Sequence, residues 1–206
     1  MKIILATHNK DKLLEMKKVL NDVNAEFLSL DDFPQIDEIV ENGTTIEENA
    51  LIKAKKVHSM TGIYSLADDT GLEVDVLDGK PGVYSARYAG ENCSYMDNVN
   101  KLLFNMKGIS DNKRHAQFRT VIAFIGDDME LTAQGVVKGV ITKEPKGLGG
   151  FGYDPVFYVP NYGKTYSEMS IIEKNKSSHR SKAIQEMVAL LDLKYPNIFS
   201  KMEDVN

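Results

Sequence analysis

An α/β fold with a mixed sheet is predicted by three features of the sequence. Strand-like and helix-like segments interleave along the whole chain, two long strand-like runs flank a short turn, and no composition shift or low-complexity stretch marks a linker. The 206 residues are therefore read as one domain, 1–206, large enough to bury about 70% of its extended-chain surface. The last dozen residues carry little pattern and are expected to fray.

The elements follow in order. Residues 2–6 (Lys-Ile-Ile-Leu-Ala) read as a short buried strand, and residues 10–20 as a helix with Leu13, Met16, Val19 and Leu20 at helical spacing. A second strand is expected near 25–30. The segment Glu41-Asn42-Gly43-Thr44-Thr45-Ile46-Glu47-Glu48 offers a Thr-x-x-Glu capping box to a helix carrying Ala50, Leu51, Ala54, Val57 and Met60. Residues 62–67 form an apolar strand expected to end at Asp68-Asp69-Thr70-Gly71, since that tetrapeptide is good turn chemistry. Residues 95–107 look helical. The runs 115–126 and 129–142, separated by Gly126-Asp127-Asp128, suggest an antiparallel hairpin. A glycine-rich loop at 147–152, a short strand at 155–159 and a polar stretch at 160–176 lead to a last helix over 178–193, with Ala183, Met187, Leu190 and Leu191 on one face.

Composition excludes several classes. Hydrophobic residues make up 42% of the chain and charged residues 27%, the balance of an ordinary globular protein. The formal charge of -5 argues against nucleic acid as a partner, because neutralising a phosphate backbone needs a net basic surface. No run approaches the ~18 apolar residues of a membrane span, so no membrane partner is expected. The single cysteine, Cys93, cannot support an intramolecular disulfide, and the opening Met-Lys-Ile-Ile-Leu-Ala is too short for a signal-peptide core. A cytoplasmic location is the expectation.

Three segments carry candidate chemistry. Thr7-His8-Asn9-Lys10-Asp11-Lys12 joins the first strand to the first helix, where unpaired N–H groups and the helix dipole favour an anion. Lys10 and Lys12 oppose that dipole at roughly 0.3–1 kcal/mol each unless a bound anion, such as a phosphate, offsets them. The plainer reading leaves both lysines solvated, with Lys12 pairing Glu15. Asp68-Asp69 follows an apolar strand, where the carboxyl ends of α/β strands form ligand crevices. Adjacent carboxylates repel, and Mg²⁺ held by one or two of them, by waters and by substrate phosphate oxygens would relieve that repulsion. Glu41, outside the helix, is a better metal candidate than Glu47 or Glu48, which suit the capping box, and Lys53 lies about a turn further on.

The third segment, Glu173-Lys174-Asn175-Lys176-Ser177-Ser178-His179-Arg180, crowds cations at the start of the last helix, and read alone it is a solvated basic surface with Ser177 or Ser178 as cap. Two motifs are lures. Gly147-Leu148-Gly149-Gly150-Phe151-Gly152 fits the dinucleotide-binding glycine pattern, yet Pro155 follows where a helix is required. Gly163-Lys164-Thr165 imitates the end of a P-loop, but Tyr158 stands where its first glycine belongs, so it is read as a loop. His8, His58 and His115 lack metal-ligand spacing, and Cys93 has no setting suited to a nucleophile.

Together these segments resemble the inosine triphosphate pyrophosphatase family, through Ala6 to Lys12 with Glu15, Glu41-Asn42-Gly43-Thr44 with Glu48-Asn49-Ala50, and Ala67-Asp68-Asp69-Thr70-Gly71-Leu72. Pro81 to Tyr88, Gly149 to Pro155 and Ser178-His179-Arg180 complete the series in matching order and spacing. Thr70 stands where many relatives carry serine, which keeps the hydroxyl. The resemblance implies an elongated central mixed sheet flanked by helices, two lobes with a substrate cleft, and a homodimer. It implies Mg²⁺-dependent hydrolysis of the purine nucleoside triphosphates dITP, ITP and XTP to the monophosphate and pyrophosphate. By the same carry-over Thr7, His8, Asn9, Lys10, Asp11, Lys12 and Lys53 hold the triphosphate, and Asp69 is the base. Glu41 and Asp69 hold the metal, Thr70 contacts substrate, and Phe151, Gly152, Tyr153, Asp154, Lys174, His179 and Arg180 form the purine pocket.

On that view Phe151 offers a stacking face, while His179 and Arg180 donate to a 6-oxo group. Adenine presents an amino group there and would leave those donors unpaired at a cost of roughly 1–3 kcal/mol. Guanine shares the 6-oxo group, so this edge does not by itself spare GTP. The alternatives are a pyrophosphatase for pyrimidine or modified nucleotides and a non-catalytic nucleotide sensor; Arg87 lies in a strong motif without an assigned role.

Overall fold

A computed structural model of the chain describes residues 1–196 together with Ile198 and Phe199. The expectation that the last dozen residues fray therefore falls mostly outside the described residues. In chain order the main elements are β1 (Lys2–Leu5), α1 (Lys10–Val19), β2 (Glu26–Ser29), α2 (Ile46–Thr61), β3 (Tyr64–Val74), β4 (Pro81–Gly82) and α3 (Tyr95–Asn105). Then come β5 (His115–Gly126), β6 (Met129–Ile141), β7 (Phe157–Val159), β8 (Lys164–Thr165), α4 (Ile171–Asn175) and α5 (His179–Lys194). The strands form one sheet of eight in the order β2-β1-β3-β5-β6-β7-β8, with β4 on β3. β1 pairs parallel with β2 and β3, whereas β6–β7, β7–β8 and β3–β4 are antiparallel, so the sheet is mixed as expected.

The chain divides into two compact units, and β3, β5 and β6 contribute residues to both. In the first unit (Met1–Asp69, Val121–Gly135 and the segment from Arg180 onward), strand alternation sorts the apolar residues onto two faces. Ile3, Leu5, Leu66, Ile122 and Phe124 pack with Met16 of α1 and Ala183, Ile184, Met187 and Leu191 of α5. Their neighbours Ile4, Ala6, Ala67, Val121, Ala123 and Ile125 pack with Ile46, Ala50, Ala54 and Val57 of α2. Both faces are covered, which is why these strands read as near-continuous apolar runs rather than alternating ones. In the second unit (Thr70–Thr120 and Val136–His179), Val99, Leu102 and Met106 of α3 close a core with Leu72, Val74, Phe118, Phe157 and Tyr166.

Local chemistry fixes the element ends that matter to the site. Asn9 caps α1, its Oδ1 accepting from the N–H groups of Asp11 and Lys12 at 3.0 Å each. The predicted capping box of α2 is Thr45 with Glu48: Thr45 Oγ1 accepts from Glu48 N at 3.1 Å and Glu48 Oε2 accepts from Thr45 N at 3.2 Å.

Three local expectations fail. The third strand does not stop at Asp68 but runs through Asp68-Asp69-Thr70-Gly71 to Val74, because tertiary partners for both carboxylates override their turn preference. Lys164-Thr165 is a strand paired with Tyr158 and Val159 rather than a loop. The strand expected over 155–159 begins only at Phe157, since Asp154–Val156 forms a 3₁₀ turn with Pro155 in it. That turn also bears out the rejection of a dinucleotide fold, as no α-helix opens after the glycine-rich loop. Among the described residues no helix is long and apolar enough to cross a membrane.

Candidate active site

The first unit gathers seven charged side chains around the middle of β3. β1 ends at Leu5, opposite Leu66, with Ala6 N still donating to Leu66 O at 2.8 Å. Beyond that register β3 outruns its parallel partner, and the next residues but one are Asp68 and Asp69. Successive strand residues point to opposite faces, so the two carboxylates take different partners. Asp68 bonds to Arg180 and Lys12, Asp69 to Lys53 and Asn49.

Asp68 is fully buried. Arg180 Nε donates to its Oδ2 at 3.0 Å and Lys12 Nζ lies 3.2 Å from the same oxygen. Burial alone would raise this carboxyl's pKa, yet Lys12, Arg180 and Lys53 outweigh it and hold Asp68 far below the ordinary carboxylate range. Arg180, 1% exposed, also donates through Nη1 to Glu15. Burial disfavours its charge, and Asp68 and Glu15 more than restore it, so its pKa is raised. The guanidinium expected at the purine edge is thus engaged with two buried carboxylates. Glu15, which the plain reading paired with Lys12, takes Arg180, and Lys12 goes to Asp68.

Asp69 faces α2. Asn49 and Lys53 stand four residues apart on one helix face, and both reach it. Lys53 Nζ lies 3.4 Å from Asp69 Oδ1 and 3.0 Å from Glu41 Oε2, bridging the two carboxylates assigned to a metal. Burial disfavours its charge, and Asp69 and Glu41 overcome that to raise its pKa. Asn49, fully buried, donates through Nδ2 to Asp69 Oδ2 at 3.5 Å while its Oδ1 accepts from Gly43 N at 2.8 Å. One amide thereby ties Asp69 to the loop that carries Glu41. A side chain at Gly43 would meet Asn49 Oδ1 at 2.6 Å, which explains glycine there.

Around this cluster Thr7 is half-buried, its Oγ1 accepting from Asn9 N at 3.2 Å, and His8, Lys10 and Asp11 are exposed. The donor set suits a hard divalent cation: Glu41 and Asp69 supply carboxylate oxygens, and no group of three or more His, Cys, Asp or Glu among the described residues is placed to cage a metal. Two carboxylates completed by water and phosphate oxygens is the pattern of Mg²⁺ rather than of a structural metal.

The second unit holds the other predicted residues. Lys174, in α4, is buried with its Nζ 2.6 Å from Asp154 Oδ2, 4.7 Å from the Phe151 ring centroid and 5.2 Å from that of Tyr166. Asp154 Oδ2 also accepts from Phe151 N at 2.9 Å, shaping the glycine-rich loop. Gly150 has φ of 72° and its missing side chain would collide with the Asp154 carboxylate, so glycine is required on both counts. Gly152 likewise has positive φ, 61°. His179 is 3% exposed, stacked on Phe118 with centroids 4.6 Å apart and near Tyr166 at 6.0 Å. Its Nδ1 lies 2.6 Å from Thr120 Oγ1, itself 2.6 Å from Thr70 Oγ1.

Tyr153 is part of the second core, its hydroxyl donates to Ser85 O at 2.9 Å, and burial pushes the phenol pKa up. The basic cluster at 173–180 is not a solvated surface either. Lys174, His179 and Arg180 are buried, Lys176 is exposed, and Glu173 serves the capping box of α4 with Ser170. Sequence reasoning missed Asn49 and Thr120 as site residues. The available signals were a buried-type amide four residues before Lys53, and a lone hydroxyl opening the apolar run Val121 to Ile125.

A model described as the Ham1 family matches residues 3–190. The chain belongs to the Ham1 family. Its similarity to other proteins extends over nearly the whole length: a dITP/XTP pyrophosphatase of Thermoanaerobacter sp. (strain X514) is 48% identical over 187 residues, 91% of this chain and 94% of that protein. The dITP/XTP pyrophosphatase of Escherichia coli (strain K12) is 42% identical over 193 residues, covering 92% and 98%. A solved HAM1 protein structure from Coxiella burnetii superposes with TM-score 0.85 at 40% identity, over 94% of this chain and 99% of that one. Ham1 membership and this fold agree with the resemblance read from the six motifs.

Because Asp68 compensates Lys12 and shares the buried Arg180 with Glu15, Asp68→Ala is expected to destabilise the protein by about 3–5 kcal/mol. A urea midpoint unchanged from the parent would contradict the arrangement.

Proposed function

We infer that this Ham1 protein hydrolyses non-standard purine nucleoside triphosphates, dITP, ITP, dXTP and XTP, to the monophosphate and pyrophosphate. The observation that carries the reading is the convergence, within one unit, of Lys12 and Lys53 with Glu41, Asp68 and Asp69. Cations beside carboxylates at the start of α1 suit a polyphosphate and the water that attacks it; the relatives' names supply the base class.

In this reading Asp69, steadied by Asn49 and Lys53, orients a water toward the α-phosphorus and takes its proton. The water oxygen bonds to that phosphorus as the bond to the β-phosphate bridging oxygen breaks, and pyrophosphate departs. Lys12 and Lys53, with the loop Thr7 to Asp11, neutralise the charge that develops on it. Mg²⁺, held by Glu41 and Asp69, would supply Lewis-acid stabilisation of phosphate oxygens. Phe151 stacks on the purine, with Lys174 and His179 at its polar edges. Adenine, with an amino group in place of the 6-oxo acceptor, leaves a donor unpaired. The single cysteine supports a cytoplasmic location, and the family resemblance supports a homodimer.

Incubation of the protein with dITP and Mg²⁺ is expected to yield dIMP and pyrophosphate, at a rate that falls to background with EDTA. Orthophosphate as the first product would rule out attack at the α-phosphorus. Asp69→Asn is expected to unfold at the parent's urea midpoint and to lose nearly all turnover, so retained activity would remove Asp69 from the role of base. Light scattering is expected to give twice the chain mass, and a monomer at micromolar concentration would discard the dimer.

A further inference from the structure

Within the second unit, Thr70, Thr120 and His179 form a chain of hydrogen bonds that ends on an imidazole. Thr70 Oγ1 and Thr120 Oγ1 are 2.6 Å apart, and Thr120 Oγ1 is 2.6 Å from His179 Nδ1. Thr120 is fully buried and His179 3% exposed. The imidazole ring is held by Phe118, whose centroid lies 4.6 Å away at an interplanar angle of 25°, and by Tyr166. Ring rotation is therefore restricted, and Nδ1 stays on Thr120.

A hydroxyl has one proton to donate. Between these two neighbours Thr120 can donate to His179 Nδ1 while accepting from Thr70, or accept from His179 Nδ1–H while donating to Thr70. A neutral imidazole carries its proton on one nitrogen, and the bond made by one nitrogen fixes the other. If Thr120 donates to Nδ1, then Nε2, across the ring, is a donor. If Thr120 accepts from Nδ1, Nε2 is an acceptor. A purine with a 6-oxo group needs the first state, and one with a 6-amino group would be served by the second.

We propose that Thr120 is a positioning residue that, through the chain from Thr70, sets His179 in the Nε2–H tautomer and so selects a 6-oxo purine. The proposal rests on the reading of His179 as a contact to the purine. Thr120 does not touch the reacting atoms, and nothing else in the apolar run after it supplies a hydroxyl. Selectivity against adenine then depends on the direction of one buried O–H bond as well as on the presence of His179.

The test uses Thr120→Val, which keeps the shape and removes the hydroxyl, and Thr120→Ser, which keeps the hydroxyl. Imidazole nitrogen shifts of the full-length protein report the tautomer directly, with the His179 signal identified among the four histidines by its loss in His179→Gln. The expected result is a protonated Nε2 and bare Nδ1 in the parent and in Thr120→Ser, and a redistributed proton in Thr120→Val. In steady-state assays with dITP and dATP, Thr120→Val is expected to lose roughly tenfold in kcat/KM for dITP, with little change for dATP, and Thr120→Ser to restore the preference. A parent His179 protonated on Nδ1 would overturn the proposal, as would a Thr120→Val protein with unchanged tautomer and unchanged dITP preference. Should the parent hydrolyse dITP no faster than dATP, the functional reading fails, while the nitrogen shifts still decide whether Thr120 sets the tautomer.

Discussion

A charged carboxylate sealed inside the first unit governs the rest of the site. Removing an ion from water costs several kcal/mol even after relaxation, and the cost is offset only by well-placed opposite charge. Asp68 obtains that from Arg180 and Lys12, and Arg180, itself buried, needs Glu15 as a second counter-charge. Each burial thus calls for the next. Among the seven side chains of the cluster, four carboxylates stand against three cations, leaving one formal negative charge that a divalent cation would offset. Lys12 is central to this balance, because the same ammonium that compensates Asp68 stands in the first turn of α1, where an anionic ligand is favoured.

That interaction also explains the length of β3. Local chemistry at Asp-Asp-Thr-Gly favours a turn, and a turn would have sent both aspartates into solvent. Their partners come from α1, α2 and α5, and they hold the segment extended past the end of β1. Extension imposes alternation, and alternation divides the work: Asp68 becomes structural and Asp69 is left to face Lys53, Asn49 and the loop of Glu41. Which carboxylate takes which partner depends on backbone conformation rather than on residue type, so it is not contained in the sequence pair alone.

The sheet, its helices and the cap of α2 were legible in the sequence because each follows from local periodicity or capping chemistry, as at Thr45 and Glu48. The lysine loop was legible for a similar reason, lying at the junction between β1 and α1, whereas the acidic pair, read as following a strand, lies within β3. What local pattern does not contain is which side chain turns inward. Lys174, His179 and Arg180 look like a solvated basic face until Asp154, Thr120 and Asp68 are known to meet them. Asn49 and Thr120 were hidden in the opposite way: each is a small polar residue within an apolar pattern, and only long-range partners reveal its use. Tyr153, which the resemblance placed in the purine pocket, has its ring in the second core, another placement that local pattern does not contain.

A sequence motif is a stretch of chain, whereas a chemical role belongs to a side chain and its partners. His179 and Arg180 make the point, being neighbours in the first turn of α5 with side chains directed about 100° apart around the helix axis. His179 meets Thr120 and Phe118; Arg180 meets Asp68 and Glu15. The resemblance assigns both to the purine, and the guanidinium of Arg180 is in addition bonded to two buried carboxylates. In the proposed pocket His179 is the residue whose hydrogen-bonding sense is not fixed by its identity. A guanidinium donates in every state, but an imidazole donates or accepts according to its neighbour. On the proposed arrangement, the sense of that imidazole depends on Thr120, a buried hydroxyl with no charge of its own.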